Sequence, residues 1–158
     1  MFLIIRTITY ASLFTGLVLI YLPGHLLSWS GIIYPTEIKL FQVAGIAIGS
    51  IGAVISLLCI LTFISIGRGT PAHFDPPHKL VMKGPYRYVR NPLYIGAILA
   101  LLGAALFYES ILIVGYAIIF FFVAHIFVVL CEEPTLQKTF GKEYETYCLL
   151  VKRWLPRR

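Results

Sequence analysis

Residues 93–131 read LYIGAILALLGAALFYESILIVGYAIIFFFVAHIFVVLC, and the fold class turns on this run. Its only acid is Glu109 and its only imidazole is His125; the rest is almost wholly apolar or aromatic. A helix that is hydrophobic on every side is either deeply buried or in lipid. Tyr108, Glu109 and Ser110 are the one break, so the run reads as two helices, 93–107 and 111–131, folded as a tight antiparallel hairpin. Crossing a membrane takes about 20 helical residues. The second arm meets that length. The first covers only ~22 Å at 1.5 Å per residue, so it must borrow Asn91 and Pro92 or end among the lipid headgroups.

Working outward, residues 40–67 form another stretch without Asp, Glu, Lys or Arg, and 7–22 a fourth, extended by 2–5 behind Arg6. The 158-residue chain is 59% hydrophobic and 13% charged, with a mean hydropathy of +0.87. A soluble domain carries about a quarter charged residues. That deficit excludes a soluble globular enzyme, and the aromatic content excludes disorder. The expected fold is therefore all-α: a polytopic membrane protein with about four transmembrane helices and a cytoplasmic interfacial C-terminal helix. It forms a single domain over 1–158, with two N-terminal spans in 1–66 and a loop, hairpin and C-terminal helix in 67–158. Cys59, Cys131 and Cys148 form no CxxC pair, so neither a disulfide framework nor a zinc site is expected.

Charge sets the expected orientation. Of the thirteen Lys and Arg, only Lys39 falls outside the N-terminus, the 68–90 loop and the segment after Cys131. The positive-inside rule then places both termini and the central loop in the cytoplasm of a bacterial-type inner membrane. The net charge of +6 is read as topological and as attraction to anionic lipid, not as nucleic-acid binding. Gly45, Gly49, Gly52 and Ala53 make a small-residue ridge that lets helices approach closely, either within the chain or in a homodimer through Gly45 and Gly49.

Residues 67–94 hold five of the nine prolines, including Pro71, Pro76 and Pro77, and so read as stiff extended loop. His73, Asp75 and His78 are interrupted by the Pro pair and lack a nearby fourth ligand, so no metal is expected. Gly84–Pro85 is a turn signal. Asn91–Pro92 is a helix start, with Asn as N-cap and Pro at the first position. Its free N–H groups, with Arg90 beside them, suit a carboxylate. In the second arm His125 and Glu132 are seven residues apart and share a helix face. His125 reads either as a neutral histidine bonded to a neighbouring helix or as a functional group. Glu132 and Glu133 either oppose the dipole at a helix C-terminus or precede a new helix begun by Pro134. Beyond it, Leu136, Phe140, Tyr144, Tyr147, Val151 and Trp154 recur at helical spacing, as on an amphipathic helix lying on the leaflet.

Together, GTPAHFDPPHKLVMKGPYRYVRNPLYIG at 69–96, EEPTLQKTFGKEYETY at 132–147 and RWLP at 153–156 resemble the isoprenylcysteine carboxyl methyltransferase-like family. These are small integral membrane methyltransferases related in pattern to the phospholipid methyltransferases. The resemblance covers roughly residues 67–157 and implies S-adenosylmethionine as methyl donor, bound near the cytoplasmic face. By position it assigns donor binding to Gly84, Pro85, Tyr86, Arg90, Asn91, Pro92, Tyr94 and Gly96, and to Glu132 and Glu133, with His125 on the same face. Arg90 and Glu133 are expected to act at the reacting groups. Asn91 stands where eukaryotic prenylcysteine enzymes have His and many bacterial members have Asn. The implied acceptor is thus a lipidic or small hydrophobic carboxyl, thiol or amine, not specifically a prenylcysteine. A non-catalytic membrane subunit or lipid-binding protein would not need these ordered motifs. A nicotinamide reductase lacks its G-x-G-x-x-G fingerprint.

Overall fold

The computed structural model describes residues 9, 12, 13, 15–32, 35, 37–67 and 79–156. Every element among them is helical. Helix α1 spans Thr15–Trp29, beginning in π geometry over Thr15–Tyr21 and continuing as an α-helix over Leu22–Trp29. Helix α2, Leu40–Thr62, continues as a π turn over Phe63–Gly67. A 3₁₀ turn at Gly84–Arg87 precedes α3, Pro92–Phe107. Helix α4, Ile111–Phe127, passes through a π turn at Val128–Glu132 into α5, Glu133–Phe140, and α6 is Lys142–Leu150.

Among the described residues two helical runs, Leu40–Ile66 and Ile111–Phe140, are long and apolar enough to cross a membrane alone, fewer than the four expected. For α3 the shortfall is one of length. Helix α3 does gain Pro92, but its 16 residues give only about 24 Å at 1.5 Å per residue. Helix α1 runs on through Pro23 to Trp29, the proline following directly on the wider π geometry of Thr15–Tyr21. Residues 24–29, beyond the apolar run 7–22, are therefore helical. Only 11% and 28% of the most apolar windows of the two long runs are buried, which a soluble core helix would not survive. Phe41, Val43, Ile51, Leu58, Ile119 and Phe122 all face outward. An apolar surface this extensive belongs in lipid. The protein is a membrane protein.

The small-residue ridge of α2 packs against α3. A Cβ on Gly52 would lie 2.5 Å from the Gly96 carbonyl oxygen, and one on Gly45 would lie 2.7 Å from that of Gly103. Only glycine permits backbones this close. Early α2 meets late α3, so the pair is antiparallel. At one end Gln42 donates to the Phe107 carbonyl and to Glu109 Oε1, at 3.3 and 2.9 Å, tying α2 to the hairpin turn. At the other, Cys59, Val81 and Tyr86 form a buried cluster under Phe63 and Leu93. The hairpin forms as expected, with Tyr108, Glu109 and Ser110 joining α3 to α4.

Two expectations beyond residue 127 are corrected. The helix does not end at Cys131. Proline lacks an N–H and its ring crowds the carbonyl four residues back, and the wider π turn absorbs Pro134, with the Glu133 N–H reaching Val128 O. Glu133 thus occupies the first turn of α5, where an acid is favourable. The single C-terminal amphipathic helix is two helices, broken at Gly141 with φ +53° and ψ −122°. Its stripe faces inward: Tyr144, Tyr147 and Val151 bury against Leu80, Leu136 and Phe140. Trp154 lies beyond α6, in a tail that folds back over the start of α3.

Candidate active site

The site begins where α3 begins. Asn91 occupies the N-cap position, but its side chain makes no cap bond. It donates instead to the Arg153 carbonyl at 3.3 Å, while the Arg90 backbone N–H donates to the Lys152 carbonyl at 2.9 Å. Val151 is extended, which turns the chain out of α6 and lays the tail along this segment.

Glu132, the last residue of the π turn, and Glu133, the first of α5, both lie against this segment, and their partners differ. Glu133 accepts two bonds from the Arg153 guanidinium, Nε to Oε1 at 2.8 Å and Nη2 to Oε2 at 2.7 Å. Arg90 Nη2 adds a third contact at 3.2 Å. The Arg90 and Glu133 side chains are only 13% and 18% exposed, so this is a shielded cluster of two cations on one anion. The bonds to Glu133 raise the Arg153 pKa further above its ordinary value. Arg90 also donates from Nη1 to Cys148 Sγ, and its Nε is buried with no hydrogen-bond partner among the described residues.

Glu132 sits beside this cluster with no cation among the described residues. Its partner is the hydroxyl of Tyr94, one turn into α3, which donates to Oε2 at 3.2 Å. Around it, Trp154 Nε1 donates to His125 Nδ1 at 3.0 Å. The indole packs on the rings of Phe121, His125 and Tyr94 at centroid distances of 5.3, 6.0 and 6.4 Å. Below, the Tyr147 hydroxyl donates to the Tyr86 carbonyl at 2.7 Å. Burial holds the Tyr86 hydroxyl well above its ordinary pKa, with Cys59 and the Glu132 carboxylate acting in the same direction.

The structure thus links Arg90, Asn91, Tyr94, His125, Glu132 and Glu133 through a chain of contacts that runs by way of Arg153 and Trp154. Pro92 is the buried first residue of α3. Gly84 and Pro85 lie in the 3₁₀ turn, with Gly84 at φ +60° against Thr62. Gly96 lies in the α2–α3 contact, where an added Cβ would meet the Gly52 carbonyl at 2.8 Å. These three brace the site from outside. His125 bonds to the tail, not to a neighbouring helix. His73, Asp75 and His78 lie outside the described residues. Sequence reasoning passed over Arg153 and Trp154 as site residues. Their signal was present in the RWLP string, without a partner to give it meaning.

The sequence profile of the phospholipid methyltransferases matches residues 40–143, from the start of α2 into α6. The chain belongs to this phospholipid methyltransferase family. Two rice proteins, from Oryza sativa subsp. indica and subsp. japonica, are each named probable protein-S-isoprenylcysteine O-methyltransferase. Each is 31% identical to this chain over 119 residues, 71% of this chain and 59% of the rice protein. The chain therefore matches less than two thirds of these relatives' length, and the isoprenylcysteine methyltransferase-like resemblance stands on both findings. No solved structure matches it. The phospholipid methyltransferase match takes in Arg90, Asn91, Tyr94, His125, Glu132 and Glu133. It stops short of Arg153 and Trp154.

Proposed function

We propose that the chain is an S-adenosylmethionine-dependent methyltransferase acting at the cytoplasmic membrane face on a lipidic or small hydrophobic acceptor with a carboxyl, thiol or amine group. The observation that carries this reading is the unequal state of the two acids. Glu133 is saturated by two guanidiniums, whereas Glu132 is shielded, oriented by Tyr94 and without a cation among the described residues. When bound, the donor supplies a methyl group on a sulfonium, alongside an ammonium, a carboxylate and a ribose diol. Glu132 suits the ammonium or the diol. Arg90, at the start of α3 and with an Nε unpartnered among the described residues, suits a carboxylate of donor or acceptor.

Methyl transfer is an in-line displacement that needs positioning and desolvation more than covalent help. Here Tyr94 orients the acid, while Trp154 and Phe121 exclude water. An acceptor dissolved in lipid can approach sideways between the apolar helices. The Lys/Arg asymmetry supports a cytoplasmic site, and a reporter fused after Arg158 should read cytoplasmic.

Isothermal titration of purified protein with S-adenosylmethionine and, separately, NADPH tests the reading. Binding of the first alone is expected. Glu132→Gln should weaken it by on the order of ten- to a hundredfold, as for losing a charge-assisted bond of ~1.5–3 kcal/mol. Unchanged affinity in a folded Glu132→Gln protein, or selective NADPH binding, would overturn it.

A further inference from the structure

Arg153 lies past the family match and outside every span, yet it makes the tightest ion pair at the site. Its planar fork covers both oxygens of Glu133 at 2.8 and 2.7 Å, a geometry that a single ammonium cannot reproduce. Its own backbone is fixed on both sides. The Lys152 carbonyl accepts from the Arg90 N–H, the Arg153 carbonyl accepts from Asn91, and Trp154 bonds to His125. The guanidinium is therefore delivered from an anchored segment.

We propose that Arg153 is a positioning residue that keeps Glu132 available to the donor by occupying Glu133. This rests on the reading that Glu132 holds the donor's cationic or ribose groups. Adjacent acids at the junction of the π turn and α5 compete for nearby cations. With Arg153 in place, Glu133 is doubly satisfied and Arg90 is held on it, so Glu132 keeps Tyr94 as its partner. Without Arg153, Glu133 retains one contact to Arg90 at 3.2 Å. Arg90 can then be shared with Glu132, drawing that carboxylate off Tyr94 and neutralising it. The effect travels through Glu133, with no contact between Arg153 and the donor.

A double-mutant cycle tests this, because groups acting through one another do not add. Arg153→Ala should raise KM for S-adenosylmethionine by on the order of tenfold while kcat at saturating donor changes much less. Glu133→Gln should weaken the donor similarly, and the double variant should be no weaker than Arg153→Ala alone. Arg153→Lys, which keeps the charge, should fall between wild type and alanine, and it carries the same cycle if the alanine variant does not fold. Multiplying effects in the double variant would mean that Arg153 touches the donor directly and would overturn the proposal. So would a loss confined to thermal stability with KM unchanged. Glu132→Gln in the same series separates the two ideas: a donor affinity unmoved by it refutes the proposed function, whatever the cycle shows.

Discussion

Replacing Gly52 with alanine adds one methyl group to a helix contact that has no room for it. The new Cβ would sit 2.5 Å from the Gly96 carbonyl oxygen and 2.6 Å from the Ala100 nitrogen, both backbone atoms. Ordinary contact begins near 3.4 Å, so α2 and α3 must part by about 0.9 Å at this point. A gap of 0.5–1 Å forfeits a quarter to a half of the dispersion attraction of the atoms that separate. With the strain of insertion, the cost should be about 1–3 kcal/mol. Thermal or denaturant unfolding in detergent measures it. Two glycines serve as controls in the same assay. Gly49 has its nearest neighbour at 3.8 Å and Gly115 has none within 4 Å, so alanine at either should leave stability nearly unchanged or slightly raised. The change should also reach the site, because Gly96 lies half a turn from Tyr94 on α3 and a displaced α3 moves the Tyr94 hydroxyl relative to Glu132. If Gly52→Ala unfolds like Gly49→Ala, the close backbone contact is wrong.

Two further substitutions separate the ends of the bundle. Tyr94→Phe keeps the ring and removes the hydroxyl that holds Glu132, so donor affinity should fall by on the order of ten- to a hundredfold, the loss of one bond to a charged group; titration checks it, and an unchanged Kd refutes the orienting role. Gln42→Leu removes the ties to Phe107 and Glu109 at the far end and should lower stability by about 1–3 kcal/mol. Donor affinity should not change, since nothing at that end touches the site. A parallel loss of binding would contradict this separation.

What the sequence made legible were features written locally. The apolar runs marked α2, α3 and α4, the Tyr108–Glu109–Ser110 break marked the hairpin, and Asn91–Pro92 marked the start of α3. Small residues at one-turn spacing identified the face of α2 that packs closely, though not its partner. The pair of acids stood out by itself, but their division of labour did not. It depends on Arg153, twenty residues further on, and on Tyr94, thirty-eight residues before Glu132. Helical periodicity carries no information about such partners. It also misled at Trp154, whose spacing continues the α6 stripe although the chain has already turned extended at Val151. The short reach of α3 was legible too, because its apolar run already stops at Phe107.

The π turn at Val128–Glu132 has a consequence for how the family's chains can vary in length. A π turn is an α-helix with one residue wound in, and everything after it is rotated by about 100° relative to a regular helix. Glu133 meets the two guanidiniums only in that rotated frame. Deleting one residue between Val128 and Cys131 would preserve the apolar character of the segment and nearly all of its helicity. It would nevertheless swing both carboxylates away from Tyr94 and Arg153 together. The site's alignment is thus encoded as a residue count in a stretch of plain aliphatic sequence, where a single-codon deletion should cost more than a conservative apolar substitution.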